Sequence, residues 1–180
     1  MISNFNRNSL LSPHITLWLL AFLCITALTS CRISYSFTGA SISPQAKTLS
    51  VQYFQNRASL VQPGLSQYLT DALIDKCKAQ TSLGLINGIG DMDFEGEITD
   101  YNTRPLTVSA DARAATNRFT ITVRVKFTNA VEPDLSYEQT FSRYEDYDSS
   151  FDLSSVEKEL SDKIISLLIE DIFNRAFVNW

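Results

Sequence analysis

Three groups of residues in this chain carry side chains that can do or undergo chemistry. The first is Cys31, which follows Leu28, Thr29 and Ser30 at the end of an apolar N-terminal run. A cysteine behind small residues at such a place offers a thiol for acylation and a point of cleavage in front of it. The second is Tyr144 to Ser150, where Glu145, Asp146 and Asp148 are dense enough for paired-carboxylate or calcium chemistry. The third is Arg118, Arg124 and Lys126, three cations along one stretch and a match for an anionic group such as a phosphate.

The acidic group fits neither of its chemistries well. A calcium loop of the EF-hand kind wants alternating oxygen ligands, a central glycine and a distal glutamate. A glycosidase pair needs a cleft. A solvated loop that sets negative charge before the N-terminus of the last helix is the better account. Histidine chemistry is excluded more firmly. His14 and Cys24 fall in the segment ahead of Cys31, so beyond it there is no histidine, and Cys77 is the one further cysteine. Ser-His-Asp and Cys-His catalysis, imidazole metal sites and an internal disulfide go with them. No catalytic residue and no metal ligand is assigned, and Cys77 is expected on the apolar face of a helix.

Arg7 supplies a positive n-region, and Ile15 to Leu28 supply an apolar stretch of about fourteen residues, short of the roughly 20 that a spanning helix needs. Leu28-Thr29-Ser30-Cys31 resembles the bacterial lipobox, whose cysteine takes a diacylglycerol and is then N-acylated. The expected organisation is a signal peptide over 1–30, a lipidated N-terminus and tether over 31–46, and one domain over 47–180. The formal charge of the whole chain is -5, and residues 1–30 contain no acid and a single base. The remainder is therefore more acidic still, which argues against a nucleic-acid partner.

The elements that must position these groups follow from periodicity. Lys47 to Phe54, with Leu49, Val51 and Tyr53 alternating, predicts a strand. Pro63 suits a first helical position, and Leu65, Tyr68, Leu69, Ala72, Leu73 and Lys76 or Cys77 make one helical stripe, so a helix is expected over about 64–80. Leu83 to Gly90 reads as a short connection. Met92, Phe94, Gly96 and Ile98 alternate with polar neighbours in a second strand. Residues 104–116 lack periodicity and read as a hairpin loop or frayed strand ends. Phe119, Ile121, Val123, Val125 and Phe127 alternate through a third strand that puts Arg124 and Lys126 on its polar side. After a turn at Asn129 to Asp134, Tyr137, Gln139 and Phe141 mark a fourth. Ser154 and Glu157 have capping-box spacing. Behind them Val156, Leu160, Ile164, Leu167, Leu168, Ile172 and Phe173 form the stripe of a long last helix, with Phe173, Phe177 and Trp180 expected to be core. The fold class is α+β: a β-α-β-β-β-α sandwich, two helices on one face of a four-stranded, mixed and largely antiparallel sheet. Arg124 and Lys126 then stand on an open face. They meet either an anionic partner such as the phosphates of lipid A or the cross-strand carboxylates of Glu95 and Glu97.

Several stretches carry a resemblance. They are Tyr35 to Ser41, Val51 to Ala58, Phe94-Glu95-Gly96-Glu97-Ile98, Tyr144 to Ser150, and Asp171-Ile172-Phe173-Asn174-Arg175-Ala176. In this order they resemble the lipopolysaccharide-assembly lipoprotein family LptE, in its Bacteroidetes version. That resemblance implies a non-enzymatic subunit of the lipopolysaccharide translocon, held at the periplasmic side of the outer membrane by lipid on Cys31. It implies a large β-barrel of the LptD type as partner, with this chain as its plug and assembly factor. Lipopolysaccharide or lipooligosaccharide is the expected ligand, with Arg118, Arg124 and Lys126 as the chemical choice of contacts. No cofactor is implied beyond the acyl groups. The alternative classes are a structural or interaction lipoprotein of the envelope with another protein partner, and a glycan-acting enzyme using Glu145, Asp146 and Asp148.

Overall fold

The computed structural model describes residues 42–60, 62–106 and 116–178. Residues 1–41, with the expected signal peptide, Cys31 and most of the tether, lie outside the described residues, as do 107–115 of the expected loop and Trp180.

Strand β5 (Thr116–Asn129) sets the frame. Its alternation is realised in full: Phe119, Ile121, Val123, Val125 and Phe127 are buried, while Arg124 and Lys126 are exposed. Antiparallel neighbours flank it, β4 (Met92–Pro105) and β6 (Tyr137–Asp148). On the far side of β4 lie β1 (Thr48–Val51) and β2 (Gln55–Asn56), both parallel to it, and β1 is paired in turn with β3 (Gly84–Leu85). The order is β3-β1-β4-β5-β6 with β2 beside β4. Helices α1 (Leu65–Gln80) and α2 (Leu153–Phe177) cover the apolar face. A cluster of aromatics closes one end of this core, with Phe94 and Phe127 rings 4.7 Å apart and Phe177 5.9 Å from each. Phe173 and Phe177 are core residues, as expected. Cys77 is fully buried on α1, where loss of solvation pushes its thiol up to about 12.

The α+β class and the mixed, largely antiparallel sheet are as read from the sequence, but there are six strands rather than four. The strand expected over Lys47 to Phe54 breaks in two. Val51 stays paired with Phe94, whereas Tyr53 swings out to solvent and Phe54 turns into the core, its backbone N–H donating to Thr70 Oγ1 at 3.1 Å. Arg57 N–H then rejoins Ile98 O at 2.8 Å. The supposed connection at Leu83 to Gly90 contains β3, whose pairing partner lies far back in the chain and leaves no local periodicity.

Strand β4 is longer than its alternation. The register shifts between Ile98 and Asp100, so even positions such as Phe94 and Ile98 face the helices before the bulge and odd positions such as Tyr101 face them after it. That inversion is why residues beyond Thr99 showed no period. Arg104, Pro105 and Thr116, expected in the loop, belong to the strands.

Local details differ too. The acidic stretch is not a solvated loop over its length: Tyr144 to Asp148 continue β6, held in register by β5 up to the Thr116 and Asp148 pair. Pro63 precedes α1 rather than opening it, because Gly64 adopts φ +86° and turns the chain into the helix at Leu65. Tyr68 and Leu167 are exposed, and Ser66 and Ser161 take buried places. The capping box at Ser154 does not form. The N-cap is Asp152, and Glu157 is drawn away to accept the Tyr101 hydroxyl.

Candidate functional site

The strand faces turned away from the helices make an open polar surface, and the three cations read from the sequence all lie on it. Their even positions in β5 put Arg118, Arg124 and Lys126 on one side, and the antiparallel registers decide what each meets. Lys126 lies opposite Glu95, with Nζ 3.3 Å from Oε2. Arg124 lies opposite Glu97 and donates to its carboxylate through Nη2, while Nε is 3.8 Å from Glu138 of β6. Glu97 also has Arg57 at 3.9 Å. Arg118 lies opposite Asp146 and forms a two-point bridge, Nε to Oδ1 at 2.8 Å and Nη2 to Oδ2 at 2.9 Å. Its guanidinium also stacks over Tyr144, 3.6 Å from the ring centroid. The hydrogen bonds from Arg118 hold the Asp146 carboxyl below the usual carboxylate range and raise the arginine in return.

Glu95, Gly96, Glu97, Arg124, Lys126 and Glu138 line a shallow depression of about 260 Å³. Each cation in it already has a carboxylate, so the cross-strand pairing weighed from the sequence is what these two residues do. Such exposed pairs stabilise a fold by only about 0.2–1 kcal/mol each. Their larger consequence is a face of fixed, hydrated charge with both signs interleaved. Glu145 and Asp146 do not act as a carboxylate pair, since Asp146 is bound to Arg118 and the two point to opposite sides of β6. Among the described residues no group of three or more acidic, cysteine or histidine side chains is placed to hold a metal.

Arg104 escaped the sequence reading. It lies directly opposite Arg118 across β4 and β5, exposed and on the same face, which sets two guanidinium groups beside a single bound carboxylate. Only the bulge at Thr99 puts it there.

One corner of the face is different. The connection from β3 to β4 crosses over β1, and Ser50 and Asp93 are buried beneath it. Ser50 Oγ donates to Asp93 and accepts from Gly90 N–H at 2.9 Å, and Gln52 Nε2 bridges Asp93 Oδ1 and Gly88 O at 2.8 Å each. Asp91 accepts from the backbone N–H groups of Lys47 and Thr48 at 2.9 Å, which keeps its carboxyl low.

The face therefore presents paired charges of both signs across β4, β5 and β6. The sequence profile of the lipopolysaccharide-assembly LptE family matches residues 46–176, from two residues before β1 to the last turn of α2. The chain belongs to the LptE family. It is thus a lipopolysaccharide-assembly lipoprotein with a non-enzymatic role, and no cofactor belongs to that role. Among solved structures, the hypothetical protein CT253 from Chlamydia trachomatis is similar at 8% identity over 74% of this chain and 99% of that one, with a TM-score of 0.50. That likeness shows the fold alone. A minor lipoprotein from Acinetobacter baumannii is 15% identical over 72% of this LptE-family chain and 91% of its own, with a TM-score of 0.48. A comparison with curated proteins finds no match.

Proposed function

We propose that this LptE-family chain is an outer-membrane lipoprotein cleaved before Cys31, acylated there, and held at the periplasmic side. In this reading residues 31–46 are the tether and 47–180 the working domain. It plugs and helps assemble an LptD-type β-barrel and binds the lipopolysaccharide that the barrel exports. The observation that carries the reading is the open face of β4, β5 and β6, on which Arg118, Arg124 and Lys126 each hold a carboxylate. A barrel lumen is polar and wet. A face of fixed ion pairs and hydroxyls such as Thr122 and Ser142, bonded at 2.9 Å, suits it, with Arg104 as an added cation at one edge.

For the ligand, Arg118 is the strongest of the three proposed contacts, because Arg104 doubles the positive charge beside it. A lipid A phosphate arriving there meets two forked donors and displaces one aspartate. At Arg124 and Lys126 it meets Glu95, Glu97 and Glu138 instead.

The test is a mild-detergent pull-down of the lipidated protein from outer membranes, with co-purifying chains identified by mass. A large β-barrel in stoichiometric amount is expected. Recovery of the lipoprotein alone, or with another envelope protein, sinks the translocon reading.

A further inference from the structure

We infer that the corner formed by Leu85, Ile86 and Ile89 is a lipid contact, which seats the domain on the bilayer surface beside its anchor. This rests on the acylation of Cys31 proposed above. Ile89 is 80% exposed, with Leu85 and Ile86 each more than a third exposed. They belong to a stretch, Thr81 to Gly90, that has no charged side chain in an otherwise acidic protein. An uncharged aliphatic corner can approach anionic headgroups without repulsion, and its burial in the interface is favourable in proportion to its apolar area.

The corner is held out rigidly. Gly88 sits at φ +109°, where a side chain would strain the backbone. A Cβ on Gly90 would come within 3.1 Å of the Leu49 and Ser50 backbone, so the loop lies flat on β1. Bonds from Gln52 and Ser50 pin it from below. An apolar side chain displayed on a fixed loop loses little freedom when it is buried against a partner.

Placement selects lipid over the barrel lumen. Gly84 N–H donates to Lys47 O at 2.8 Å, and Lys47 N–H to Asp91, so the two ends of this segment clamp the point at which the tether meets the domain. A tether over 32–46 reaches at most roughly 50 Å, which confines the corner near the membrane and raises its effective concentration there. The polar lumen proposed for the sheet face offers three aliphatic side chains nothing.

The experiment uses the full lipidated chain with Ile89→Cys, labelled with an environment-sensitive fluorophore and bound to vesicles of phosphatidylethanolamine and phosphatidylglycerol. Cys77 is buried and Cys31 acylated, so position 89 takes the label. Tyr144→Cys, on the same face but far from the corner, is the control. A blue shift and quenching by spin-labelled lipids at 89, absent at 144, is expected. In the same lipidated chain, adding Ile86→Asp should abolish most of the blue shift at 89 while flotation is unchanged. Vesicles that float with the protein while the label at 89 reports water overturn the contact and leave the lipoprotein reading intact. Protein that fails to float overturns both. A blue shift seen only when a β-barrel partner is reconstituted reassigns the corner to protein and overturns the lipid contact.

Discussion

The ring of Phe54 lies directly over Gly96, so closely that a Cβ on Gly96 would come within 2.3 Å of Cε1 and within 2.7 Å of the Arg124 carbonyl oxygen. This contact is what breaks the first strand in two. Phe54 leaves the ladder to fill the space that the missing side chain provides, and the chain rejoins β4 at β2.

Gly96→Ala is therefore expected to destabilise the domain by about 1–3 kcal/mol, the usual cost of overpacking a filled core. Urea unfolding measures it. A change within about 0.5 kcal/mol would mean that the ring is not seated there. Phe54→Ala, which empties a fully buried site, is expected to cost about 3–5 kcal/mol.

Glu157 separates two accounts of how the last helix begins. Since it accepts the Tyr101 hydroxyl instead of closing a capping box, Ser154→Ala should change stability by less than about 0.5 kcal/mol. Tyr101→Phe should cost about 1–3 kcal/mol by removing the hydrogen bond to the half-buried Glu157 carboxylate. Thermal melts of the two variants side by side decide it, and a larger loss for Ser154→Ala would restore the box.

Stability should fall on the alkaline side. Burial raises the Cys77 thiol from 9.0 to about 12. Burial, with Glu157 adding to it, raises the Tyr101 phenol above 10.0, and burial raises that of Tyr137. In each case the unfolded chain gives up its proton first. The stabilisation is thus complete below the unfolded value and is lost as pH climbs toward the folded one. Each group contributes a slope of about 1.4 kcal/mol per pH unit in that window. Urea midpoints should decline from about pH 9 and more steeply above 10. Cys77→Ala should remove the first part of the slope and Tyr137→Phe some of the second. A flat profile to pH 11 would contradict the burial of all three.

Charge reversal tests the proposed ligand contact. Arg118→Glu should weaken lipopolysaccharide binding by about tenfold, since two cations beside one carboxylate become one cation beside two carboxylates. Arg124→Glu, already set among carboxylates, should weaken it by less than about threefold. Equal losses measured by calorimetry would remove the distinction drawn from Arg104.

What the sequence determined by itself was whatever depends on spacing along the chain. The alternation from Phe119 to Phe127 specified a strand and its buried side, because side chains of a strand alternate with period two whatever its neighbours. The stripes through Leu69, Leu73 and Cys77 and through Leu160, Ile164, Leu168 and Ile172 specified two helices and the face each buries. The order of these elements, with the motifs along them, was enough to point to the family. Tertiary structure decided what depends on partners remote in sequence. The bulge at Thr99 moved Tyr101 into the core and Arg104 onto the open face, and a single inserted residue reverses every side chain after it. The pairing of Thr116 with Asp148 made a strand of what looked like an acidic loop. Register across three strands, rather than charge along one, chose a carboxylate for each of Arg118, Arg124 and Lys126. A one-dimensional pattern can say which side chains share a face, but contact across strands is set by hydrogen-bond register, and register is fixed only when the strands meet.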